Sequence, residues 1–152
     1  MTARTYAALF GAIYLAFGIA GFVPAFWERP PADSTMSIRV FHASLFGLFV
    51  VNIISSMAHL VIGLWGAMAA NNRYSALAFT RGATILFLLM GIVGLIPIPV
   101  VKSLYGTLPL YGNNVWLHFA SAAIGVFFSF RPGYALTDVG TQAEMNPHMP
   151  NK

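Results

Sequence analysis

Cysteine is missing from this chain, and carboxylates nearly so, with four Asp and Glu among 152 residues. Without cysteine there is no structural disulfide, no thiol–disulfide relay, no cysteine-ligated cluster and no zinc ribbon. The four acids, Glu28, Asp33, Asp138 and Glu144, all fall in polar connections or near the C-terminus, so the apolar runs hold none. That excludes a di-iron centre built on Glu-x-x-His helices and a proton path through buried Asp or Glu. Neither a Gly-Lys-Ser/Thr phosphate loop nor a His-Glu-x-x-His zinc helix occurs. Charge of either sign is scarce. Charged residues make up 8% of the chain, against about 25% in an ordinary soluble domain.

What the chain has instead is hydrocarbon. Apolar residues make up 58%, and several runs reach the length of a bilayer-spanning helix. A soluble protein of this size has no core large enough to hide them. The formal charge of +4 sits in connections and tails, which suits lipid headgroups and not nucleic acid.

Four runs are expected to be helices. The first is roughly Tyr6 to Trp27, with Ala8, Ala12, Ala16 and Ala20 at every fourth position to admit a close neighbour. Val23-Pro24-Ala25 also has the form of a signal-peptide cleavage site, but the segment is read as retained because a later one repeats its pattern. The second runs from Ile38 to Ala70, roughly 45 to 50 Å as one helix, so it would tilt or protrude from a ~30 Å hydrocarbon layer. Asn71-Asn72-Arg73-Tyr74-Ser75 makes a short antiparallel connection to the third, about Ala76 to Pro97. Val100 to Gly112 reads as an interfacial loop, and Val115 to Phe130 as the fourth helix. These predict an all-α, four-helix transmembrane bundle over residues 1–131, followed by a polar, disordered tail over 132–152.

Gly18-Ile19-Ala20-Gly21-Phe22-Val23-Pro24 has the form of Gly91-Ile92-Val93-Gly94-Leu95-Ile96-Pro97. More loosely, His42-Ala43-Ser44 matches His118-Phe119-Ala120-Ser121, which suggests two repeated helical hairpins, with chance similarity of Gly-rich segments as the alternative. Arg4, Arg73, Arg81, Arg131 and Lys152 fall on one side; Arg29, Arg39 and Lys102 fall on the other. This bias places both termini in the cytoplasm of a bacterial inner membrane.

Inside the second run, Asn52, Ser55, Ser56 and His59 fall at i, i+3, i+4 and i+7, a polar stripe that Gly63 and Gly66 continue. This stripe, with Asn114-Val115-Trp116-Leu117-His118, resembles the two signatures of the domain of unknown function 4383 family. The resemblance covers about Ala7 to Phe128 and implies small bacterial membrane proteins of four helices. The chain departs from the family pattern at Ser55-Ser56, where a His-Asn pair is common, and at Asn114, where an acid is common. The resemblance therefore implies a topology and no activity.

The residues themselves leave three readings open. In the first, the protein is a non-enzymatic accessory or interaction subunit, with Asn52, Ser55, Ser56 and His59 as an intramembrane hydrogen-bond network. It would bind a membrane protein partner or a second copy of itself. In the second, His42 and His118, near the outer starts of two helices, hold a b-type haem. In the third, an oligomer transports a small solute. Arg81 either snorkels to headgroups or captures an anionic lipid or ligand, with Thr84 one turn away. Ser55-Ser56 with His59 mimics a nucleophile and base but lacks an orienting acid, so hydrolysis is set aside.

Overall fold

The first helix starts at Thr2, whose side chain accepts a hydrogen bond from the Thr5 amide at 3.1 Å. That satisfies one of the backbone donors left open at a helix start. In the computed structural model, which describes residues 2–32 and 35–129, helix α1 spans Ala3–Ala20. It buries Tyr6, Ala7, Phe10, Gly11, Tyr14 and Gly18, one face at helical spacing. Ala8, Ala12 and Ala16 are exposed, so the close contact expected of that alanine stripe is made by the Ala7–Gly11–Gly18 face instead.

A single 3₁₀ turn at Pro24–Phe26 leads to strand β1 (Trp27–Glu28), which pairs antiparallel with β2 (Ala43–Leu45). β2 pairs in turn with β3 (Phe49–Val51), with Ala43 opposite Val51. Phe46 and Gly47 close the hairpin with φ of 55° and 70°, a left-handed corner that a helix cannot contain.

The continuous helix expected from Ile38 to Ala70 is therefore not formed; helix α2 spans only Ile53–Ala69. Asn52 is the reason. Its side-chain oxygen accepts from the Ser55 amide at 2.9 Å, while the Ser55 hydroxyl accepts from the Asn52 amide at 2.8 Å. This reciprocal capping box begins a helix and ends whatever precedes it. Upstream, Phe49-Val50-Val51 is aromatic and β-branched, which favours a pleated strand.

Asn72 caps the next helix with its side chain alone, accepting from the Ser75 amide at 2.8 Å to start α3 (Arg73–Leu95). Pro97 follows its end, a one-turn α4 (Pro99–Lys102) interrupts the expected loop, and α5 spans Asn113–Ser129. Over the described residues the protein is thus mostly helical, with one small sheet. α1 packs chiefly on α2 and α3 chiefly on α5, and α1 and α2 both touch α3.

The core on the side away from the sheet is tightly closed. A Cβ on Gly11 would lie 2.6 Å from the Ala67 amide nitrogen and 2.8 Å from the Gly63 carbonyl, so α1 and α2 meet backbone to backbone. Tyr6 stacks on Phe10 at 4.8 Å between centroids, and Phe128 lies 5.1 Å from Tyr6. Ala3–Ala20 and Arg73–Leu95 are each long and apolar enough to cross a membrane, and Ile53–Ala69 is a shorter apolar helix. The tail expected over 132–152 lies outside the described residues.

Candidate functional site

The sheet side of the core is built differently. Asn52, besides capping α2, donates from its amide nitrogen to the Ile38 carbonyl at 3.2 Å and the Thr107 carbonyl at 2.8 Å. Asn114, near the start of α5, donates to the Val50 carbonyl at 2.7 Å and the Pro109 carbonyl at 2.5 Å. Each buried carboxamide therefore ties a helix start to backbone of both halves of the chain, Asn52 to two loops and Asn114 to β3 and the 108–110 segment. These bonds spend the polarity of Asn52 and Asn114 on backbone that would otherwise be buried unpaired.

Just inside these ties lie two histidines. His118 on α5 is buried, its ring stacked on Phe87 of α3 at 5.8 Å and 18°. Phe87 stacks on Tyr14 of α1 at 4.8 Å, and Tyr14 lies 5.4 Å from His59 of α2. Each of the four long helices contributes one ring to a continuous series, and the Tyr14 hydroxyl is fixed by the Ser121 hydroxyl at 2.7 Å. Both imidazoles line one cavity, with about 30 Å³ open to the centres of water-sized molecules. Ser55, Asn114, Met90 and Phe87 also line it, and the sheet and the 108–110 segment close it above. The Nδ1 atoms of His59 and His118 are enclosed and have no hydrogen-bond partner. A buried unpaired nitrogen is uncommon and calls for an explanation such as a water or an ion.

The pair brought together is thus His59 with His118, not His42 with His118. His42 sits in the turn before β2, half-buried, and does not line the cavity. Partial burial and the nearby Arg39 guanidinium hold its imidazole below the usual 6.5. The haem reading rested on His42 sharing a site with His118, and this arrangement removes its geometric basis. His59 seemed out of reach only because one helix was expected across residues 42–59; the sheet folds that span back on itself.

Of the expected stripe, Ser55 completes the cap and lines the cavity, while Ser56 lies against Gly21 with its hydroxyl unpartnered. Arg81 is exposed on α3, whereas Thr84 is buried and gives its hydroxyl to the Thr80 carbonyl at 2.6 Å, so the two share no site. Among the described residues no three His, Cys, Asp or Glu side chains come together. Tyr14, Phe87, Met90 and Ser121 went unnoticed as site residues in the sequence. No spacing in the sequence singles them out; only the packing of α1, α3 and α5 brings them to the histidines.

Paired helices, tied at one end by a sheet and enclosing two histidines, define a small helical protein with a largely apolar internal cavity that two imidazoles line. The chain belongs to the family described as domain of unknown function 4383, whose family model matches residues 4–131. Searches of curated proteins and of solved structures give no match.

Proposed function

We propose that the chain is an integral protein of the bacterial plasma membrane, a four-helix transmembrane bundle acting as a non-enzymatic accessory or interaction subunit. One observation carries the membrane reading: the polarity of the helices is inside out. Val61 is 67% exposed, Met68 63% and Ile85 59%, with Leu9, Ile13, Leu89 and Ile124 on the same outer surface. Asn52, Ser56 and Thr80 meanwhile are fully buried. In water this arrangement leaves hydrocarbon exposed and polar groups hidden; in lipid it is the expected one. The accessory reading draws on how the buried polar groups are used. Thr80 donates to the Ala76 carbonyl at 2.7 Å and Ser129 to the Gly125 carbonyl at 2.8 Å, while Asn52 and Asn114 bind loop backbone. These groups hold shape.

Two experiments test the proposal. With no native cysteine, single cysteines at Thr2, Asn71 and Tyr105 give a clean map in intact cells. Tyr105 should react with an impermeant maleimide while Thr2 and Asn71 stay protected, and the protein should resist alkaline carbonate extraction. Release by carbonate, or equal labelling at all three sites, overturns the membrane reading. For the accessory role, a photo-crosslinker at Trp116, 67% exposed, should yield one adduct of fixed mass in native membranes. Only lipid adducts would count against it, and a dimer-sized adduct would replace the partner with a second copy.

A further inference from the structure

The accessory reading leaves His59 and His118 unused, since neither Nδ1 meets a protein partner. We propose that the cavity between them is a site for a soft monovalent metal ion, Cu(I), held by the two imidazoles with the Met90 thioether beside them.

The donor set makes this choice. Imidazole and thioether are ligands that suit Cu(I), whereas structural zinc takes four ligands and is often neutralised by thiolates. Here the cavity offers two His and one Met, all neutral, and no carboxylate lines it. The cost of bringing an ion out of water rises with the square of its charge, so a neutral apolar pocket penalises a divalent ion far more than a monovalent one. The carboxamide nitrogen of Asn114 is committed to Val50 and Pro109, and its oxygen is a hard donor that a soft ion does not favour.

Preorganisation supports the same choice. His118 is held flat against Phe87, and His59 is set between Tyr14 at 5.4 Å and Phe17 at 6.2 Å. The ring nitrogens come from α2 and α5, whose starts are fixed to the loops by Asn52 and Asn114. A cavity of about 30 Å³ has room for one ion or for a few water molecules. Water is therefore the competitor that the experiment must distinguish.

The test uses full-length, tag-free protein in detergent, with His148→Ala throughout so that the C-terminal imidazole does not contribute. Cu(I) is titrated under ascorbate, without oxygen, against the chromophoric chelator bicinchoninate. One equivalent should be retained, and copper-edge X-ray absorption should show imidazole scattering from two rings with one sulfur. His59→Ala and His118→Ala should each lower affinity about a hundredfold or more, at or above the upper end of what losing an outer-shell partner costs. Met90→Leu, which conserves volume and so the fold, should lower it about tenfold and remove the sulfur signal, while His42→Ala changes nothing. If a histidine variant fails to fold, the absorption spectrum of the parent and the Met90→Leu titration decide. Failure to retain copper overturns the site in favour of water, and so does retention that survives in the His59→Ala/His118→Ala double variant. Zn(II) held as tightly as Cu(I) overturns the choice of a soft monovalent ion.

Discussion

The two ends of the core follow opposite rules. Away from the sheet, Gly11 meets Gly63 and Ala67 backbone to backbone, and Tyr6, Phe10 and Phe128 stack without a gap. Toward the sheet, the stacked rings of Tyr14, Phe87 and His118 border a cavity with two imidazoles, and carboxamide-to-carbonyl bonds tie the helix starts to the segments beyond it. The closed end fixes the helix axes, and the open end exploits that rigidity to hold space. Stability and site are thus assigned to different residues of the same four helices.

Substitutions at the two ends should therefore behave differently. The largest effect belongs to Gly11→Val, whose new side chain has only α2 backbone to push against; it should cost about 3 kcal/mol or more. Detergent-solubilised protein should show a large fall in Tm or no folded fraction. A mild effect would mean that α1 and α2 can slide apart, and the claim of a rigid closed end would fail. Next comes Asn52→Leu, which removes a helix cap and leaves two carbonyls unpaired, for roughly 2–3 kcal/mol. Hydrogen exchange should then accelerate in residues 36–51 and 104–112 while α1 and α3 amides near Gly11 and Phe79 stay protected. Uniform loss of protection would merge the two ends into one unit.

His59→Phe and His118→Phe sharpen the contrast further. Replacing an unpartnered imidazole by an apolar ring should change metal-free stability by no more than about 1 kcal/mol. A loss as large as that of Asn52→Leu would make the histidines packing elements. The smallest effect concerns His42. Its folded-state pKa lies below the unfolded value, so the unfolded chain binds the proton better and stability declines as pH falls below about 6.5. His42→Gln should flatten that shallow slope in Tm measured against pH.

Much of this architecture is readable from residue order. The apolar runs gave four helices, and Asn71-Asn72 correctly separates α2 from α3, because Asn72 caps a helix wherever it stands at the start of one. The sheet was not legible. Phe41 to Val51 is as hydrophobic as a helix in lipid, and hydropathy does not register the left-handed backbone at Phe41 and Phe46. The site inherits that error. With residues 42–59 read as one helix, His59 lies far from His118, and only the turn at Phe46-Gly47 and the cap at Asn52 reverse the conclusion. The stripe does bring Asn52 and His59 to notice, although Asn52 is the cap that bounds α2 and not its first helical member. Phe87 and Tyr14 have no polar signature; only the packing of α1, α3 and α5 shows what they hold.

The ties at the sheet end also bear on how the protein is made. The amides of Ser37 and Ile38 both donate to the Gly106 carbonyl, at 2.9 and 3.0 Å, and Asn113 donates to the Leu48 carbonyl at 3.1 Å. All of these join a loop that precedes α2 to one synthesised only after α3. On the transmembrane reading proposed above, these ties lie at the helix ends opposite the N-terminus, and none can close before both loops have crossed. Each hairpin would then enter the bilayer as its own unit, and the cavity would be sealed only when the second arrives. On that reading the sheet end is a clasp, and the cavity has its widest opening before the clasp is fastened.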